Sequence, residues 1–173
     1  MRGVTNAQLL HALAESYGFG TSYRASNGLV TEPPAESFIK LLRALGLSLH
    51  DDPSDEELQF HLDARREFWA TRPMPPCVVA TEGAEKHFNV HVHDGHYAHC
   101  WIRLEDGSSR DAYQDENWAA PCTAADGVVW GEATFHVPGD LPAGYHELHL
   151  ESDNLDEVCP LIVVPETLST TAE

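Results

Sequence analysis

The run Pro73-Met74-Pro75-Pro76 is the strongest single constraint on how this chain can fold. Proline has no amide N–H to give a helix, and its ring collides with the preceding turn, so no helix passes through such a run. The texture differs on its two sides. Before it, apolar residues recur at helical spacing; after it, they fall in short alternating or β-branched stretches. The expected fold class is therefore α+β, a short N-terminal helical subdomain followed by an immunoglobulin-like antiparallel β-sandwich. The expected layout is a helical subdomain with a small hairpin or loop over residues 1–72, a Pro-rich linker over 73–76, a β-sandwich over 77–166 and a polar tail over 167–173. A chain of 173 residues with 42% hydrophobic content has enough apolar surface to build packed cores.

Three helices are expected before the prolines. Thr5 and Gln8 form a capping-box pair, Leu9, Leu10, Leu13, Ala14 and Tyr17 follow at helical spacing, and Gly18 suits the left-handed position after a helix end. Tyr23 and Val30 flank Asn27-Gly28, a dipeptide that favours a tight reversal. Pro33 and Pro34 mark the next helix entrance, and Phe38, Ile39, Leu41, Leu42 and Leu45 form a stripe that ends at Gly46. Ser54 and Glu57 signal a second capping box, with Leu58, Leu62, Arg65 and Trp69 along one side of a helix that stops at Arg72.

Strands are expected over 77–80, 88–92, 99–104, 128–137, 145–150 and 161–164. The turn signals Asp94-Gly95, Asp106-Gly107, Asp126-Gly127, Pro138-Gly139 and Ala143-Gly144 separate them at intervals that suit antiparallel neighbours. Side chains alternate across a strand, so Tyr145, Glu147 and His149 should face one way and His146, Leu148 and Leu150 the other.

Charge and cysteine usage narrow the partners. With 10 Lys+Arg against 28 Asp+Glu the formal charge is -18, which repels phosphate backbones and anionic lipid surfaces, so neither nucleic acid nor membrane is an expected partner. The opening residues carry no apolar secretory core and no stretch approaches the ~18 apolar residues of a membrane span, which makes a cytoplasmic location the expectation. In that reducing compartment Cys77, Cys100, Cys122 and Cys159, none of them in a CxxC pair, are read as buried or idle thiols.

Candidate chemistry is sparse. His91-x-His93-x-x-His96-x-x-His99-Cys100 offers metal-ligand types, with His91 and His93 on one strand face as the candidate pair. Asp94-Gly95 turns the chain between them and the later histidines, so no metal or other cofactor is expected. Asp51, Asp52, Asp55, Glu56 and Glu57 surround a helix start, where negative charge favours the dipole, and Asp106, Asp126 and Asp140 sit in turns. No GxSxG, P-loop, dinucleotide or HExxH motif occurs, so no catalytic residue is expected. Trp101, Trp118 and Trp130 are expected in packing, the usual fate of tryptophan; exposure of Trp101 or Trp118 on a flat face would point to a sugar platform.

The ordered set Leu9-Leu10-His11-Ala12-Leu13-Ala14, Tyr17-Gly18, Tyr23, Gly28, Pro34-Ala35-Glu36-Ser37 and Leu41-Leu42-Arg43-Ala44-Leu45-Gly46 resembles the N-terminal region of bacterial 4-alpha-glucanotransferases, the amylomaltases. Trp101-Ile102-Arg103-Leu104-Glu105-Asp106-Gly107, Asp140-Leu141-Pro142-Ala143-Gly144-Tyr145-His146 and Pro160-Leu161-Ile162-Val163-Val164-Pro165 are similar to the β-sandwich that those enzymes carry. The resemblance implies transfer of α-1,4-glucan segments by carboxylates on a (β/α)8 barrel, which takes about 250 residues and would have to lie beyond this chain. It makes the chain a non-catalytic accessory region with that barrel as its partner. An α-glucan or maltooligosaccharide is the alternative partner of a carbohydrate-binding module, and an independent metal-binding or adaptor domain is a further reading.

Overall fold

A computed structural model describes residues 4–167. Apart from Thr167, the expected polar tail lies outside the described residues. The chain divides into two compact units on either side of the Phe68–Trp69 bond. Among the described residues no helix is long and apolar enough to cross a membrane.

The first unit contains helices α1 (Asn6–Ser16), α2 (Ala35–Ala44) and all but the last two residues of α3 (Asp55–Ala70), and a small antiparallel hairpin of β1 (Tyr23–Arg24) and β2 (Val30–Thr31). Thr5 caps α1 reciprocally: its Oγ1 accepts the Gln8 N–H at 3.3 Å and Gln8 Oε1 accepts the Thr5 N–H at 2.9 Å. Ser54 repeats half of this motif, its Oγ accepting the Glu57 N–H at 3.2 Å. The Glu57 carboxylate turns instead to His50, taking its backbone N–H at 2.8 Å and lying 3.0 Å from its Nδ1. A residue that offers both a backbone donor and an imidazole outcompetes a single backbone donor for that carboxylate. The apolar stripes meet as expected, with Leu10, Leu13, Phe38, Leu42 and Leu58 buried in one cluster.

The second unit is a two-sheet sandwich of β3 (Val78–Thr81), β4 (Lys86–His93), β5 (His99–Arg103), β6 (Ser109–Asp111), β7 (Tyr113–Asp115), β8 (Cys122–Thr123), β9 (Val129–Val137), β10 (Gly144–Glu151) and β11 (Asp156–Val164). The larger sheet has the order β3-β11-β10-β5-β6; the smaller has β4-β9-β7, with β8 also on β9. Its inner faces enclose one apolar core that includes Val90, Ile102, Val137, Leu148, Leu150 and Leu161. β10 alternates as expected, and His146 is buried with Leu148 and Leu150. Its ring is satisfied there: Nε2–H donates to the Pro142 carbonyl at 2.9 Å and Nδ1 accepts the Glu105 N–H at 3.3 Å.

Three features add to the expected layout. The sandwich is not wholly antiparallel, because β3 and β11 run parallel from Val78↔Leu161 to Thr81↔Val164. Between them the chain crosses to the other sheet at β4, so no hairpin dictates their direction. The segment 73–76 is not a free linker, since Met74 is 6% exposed within the sandwich core and the Pro73 carbonyl accepts the His91 N–H at 2.9 Å. The strands β6, β7 and β8 had no sequence signal: they are two or three residues long, largely polar, and exist because longer strands offer them backbone partners.

Candidate functional site

The solvent-facing side of the smaller sheet carries the densest polar chemistry in the described chain. The alternation that buries Phe88, Val90 and Val92 of β4 turns His87, Asn89, His91 and His93 outward. Register then sets these opposite His136, Thr134, Glu132 and Trp130 of β9. Asn117 reaches across this ladder, its amide donating to Glu132 Oε1 at 2.9 Å and to Thr134 Oγ1 at 2.8 Å, and the Thr134 hydroxyl donates to Asn89 Oδ1 at 3.0 Å.

The candidate pair His91 and His93 does share this face, yet each ring is already committed. His91 Nδ1–H donates to the Arg72 carbonyl at 2.9 Å and its Nε2 lies 3.3 Å from Glu132 Oε2. His93 Nδ1 accepts from the Asn154 amide at 2.9 Å, and the ring stands edge-on to Trp130 at 4.8 Å. The His93 and His96 rings stay 5.5 Å apart, but His96 approaches Asp153, His99 lies between Asp111 and Glu151, and the run does not converge as a set. A different set does converge. His87, Asp115 and His136, from β4, β7 and β9, present ligand-type atoms that all lie within 4.8 Å of one another. Sequence reading missed them because each pair is 21 or more positions apart and only strand register brings them together.

The tryptophans separate into two kinds. Trp101 lies flat on His149, ring centroids 3.9 Å apart and planes 8° from parallel, while its indole N–H donates to Glu151 Oε1 at 2.8 Å. One face of that ring is therefore occupied. Trp118 is the opposite, 89% exposed, so it is not in the core of this chain. Asn117 explains how it is displayed: its amide is tied to β9, and its Oδ1 accepts the Ala119 N–H at 2.6 Å, so the residues around Trp118 are pinned while the indole projects. Trp130 is half-buried on the outer face of β9 and not in the core.

An open cleft of about 520 Å³ lies where β3 and β4 form the sheet edges, lined by apolar groups of Trp69, Met74, Pro75, Val79 and Phe88 with Lys86 and His87. All four cysteines are free thiols, and burial pushes the Cys100 thiol up to about 12 and that of Cys159 to about 11, so neither forms thiolate readily. Two of the displaced carboxylates are in surface ion pairs: the Arg110 guanidinium holds the Asp140 carboxyl below the usual range from 2.8 Å, and Arg103 does the same to Glu147 from 2.6 Å.

The family model for the MalQ N-terminal beta sandwich domain matches residues 73–165. The 4-alpha-glucanotransferases of Mycobacterium tuberculosis and Mycobacterium bovis are each 34% identical to this chain over 164 residues, covering 94% of it and 22% of their own length. A crystal structure of amylomaltase from Corynebacterium glutamicum, 46% identical, superposes with a TM-score of 0.86 over 94% of this chain and 23% of that one. The chain thus spans about a fifth of the curated relatives it matches.

Proposed function

The chain belongs to the family of MalQ N-terminal beta sandwich domains, and from that premise we propose that it is a non-catalytic accessory region of a 4-alpha-glucanotransferase that transfers α-1,4-glucan segments. Its partner in this reading is the enzyme's own (β/α)8 barrel, which it packs against and stabilises. The observation that carries the reading is the likeness along 94% of this chain to under a quarter of a much larger amylomaltase. The outer face of the larger sheet supports it. Val79, Ile162 and Tyr145 stand in one register row across β3, β11 and β10, with Val79 51% and Tyr145 73% exposed, an apolar row of the sort that a neighbouring domain covers. Incubating the purified chain with maltotriose tests the proposal: no glucose or longer maltooligosaccharides should appear, whereas a protein that joins this chain to the barrel should produce both. Disproportionation by the chain alone overturns it.

One observation favours a second reading, contact with α-glucan through Trp118. An 89% exposed indole on a hydrogen-bonded loop is suited to stack on the apolar face of a sugar ring. Maltooligosaccharide should then shift tryptophan fluorescence in the original chain and not in Trp118→Ala, and a flat response at millimolar sugar dismisses this reading.

A further inference from the structure

The geometry points to a metal site on the outer face of the smaller sheet: His87 Nε2, His136 Nδ1 and the Asp115 carboxylate bind one divalent first-row transition ion, with zinc as the reference case. The three side chains come from three adjacent strands. His87 and His136 are register partners, and β7 pairs with β9 so that Asp115 reaches back to His136. The carboxylate already lies between the two rings, 2.9 Å from His136 Nδ1 and 3.4 Å from His87 Nε2 through the same oxygen.

These separations can be compared with what an ion requires. Tetrahedral ligands at about 2.0–2.2 Å from zinc stand roughly 3.3–3.5 Å from one another. The two carboxylate–imidazole distances fall near that spacing, and the remaining pair of nitrogens lies within 4.8 Å. Closing the last gap falls to His87, whose side chain is 59% exposed on an edge strand and can change rotamer, while His136 at 19% and Asp115 at 32% supply the fixed half. Two imidazoles and one carboxylate suit zinc, cobalt, nickel or copper; magnesium and calcium need mostly oxygen donors. Three protein ligands leave the fourth position to water or to a donor from another molecule. The net charge of -18 attracts any divalent cation loosely, and the donor set, not charge, makes this position selective.

The test uses the untagged chain after chelator treatment, titrated calorimetrically with zinc chloride and in parallel with magnesium chloride. One equivalent of zinc should bind under conditions where magnesium gives no saturable heat. The nitrogen resonances of the His87 and His136 rings should shift together, with His91 and His93 unmoved. His87→Gln should weaken zinc binding at least about 100-fold, because even losing an outer partner of a ligand typically costs 10–100-fold. Position 87 is exposed, so this variant should keep the fold; Asp115→Asn and His136→Asn serve as second and third variants, each checked by its metal-free melting curve. Zinc should raise the melting temperature of the original chain and leave that of His87→Gln unchanged. The proposal is overturned by no saturable zinc binding, by binding that survives all three substitutions, or by binding lost only on changing His91 and His93.

Discussion

The helical unit and the sandwich draw most of their ion pairs from different distances along the chain. In the helical unit Glu36 pairs with Lys40, Asp63 with Arg66, and Glu57 with His50, partners three, four and seven residues apart. In the sandwich Arg103 pairs with Glu147, Arg110 with Asp140 and His91 with Glu132, across gaps that only strand register closes. Solvent screening leaves surface pairs of the first kind little to contribute to stability. What separates the units is composition as well as reach: all four tryptophans and all four cysteines lie at or beyond residue 69. Three of the four tryptophans lie in the sandwich sequence and Trp69 in the last turn of α3, so in a Trp69→Phe background tryptophan fluorescence reports on the sandwich, while far-ultraviolet circular dichroism is dominated by the helices.

That separation makes the comparison breakable. The largest expected effect is from emptying a core: Leu148→Ala should destabilise the sandwich by about 2–5 kcal/mol, read in the fluorescence midpoint of urea unfolding, and Leu42→Ala should do the same to the helices, read by dichroism. If either substitution moves both signals equally, the two units unfold as one. Next is alkaline pH. The Cys100 and Cys159 thiols are raised from 9.0 to about 12 and about 11, so their contribution is complete below pH 9.0 and is lost as pH rises from there through the folded values. The sandwich should lose about 1.4 kcal/mol per pH unit per thiol in that window, Cys100→Ala should remove its share of the slope, and the cysteine-free helical unit should not show the thiol-dependent part. A smaller loss, about 1–3 kcal/mol, is expected for Gly139→Ala, whose Cβ would lie 3.0 Å from the Ala84 backbone; a chemical melt showing no loss would mean that turn yields. Smallest is Trp118→Ala, which should change stability by at most about 0.5 kcal/mol in the same melt, since the side chain is exposed.

The helical unit was largely legible because its signals are local. Thr5 and Gln8 cap one another four residues into the chain, Pro34 precedes α2, and Gly18 and Gly46 take positive φ after helix ends as their sequence positions required. The one misreading there, Glu57, came from a partner outside the motif. In the sandwich the long strands and the inward set His146, Leu148 and Leu150 were also legible, because alternation needs only the strand itself. The candidate site was not. His91 and His93 stood out by proximity in sequence and turned out to hold separate partners, while His87, Asp115 and His136 had no shared local pattern.

The sequence by itself determined where helix gives way to strand, which faces are apolar, and the family to which the chain belongs, since each of these rests on residue order within a short window or on likeness along the whole. Tertiary structure decided the parallel pairing of β3 with β11, the burial of Met74, the exposure of Trp118 and the meeting of three ligand-type side chains on one face. Those depend on which segment lies beside which, and for His87, Asp115 and His136 on strand register, since a one-residue shift would send each of them to the other face.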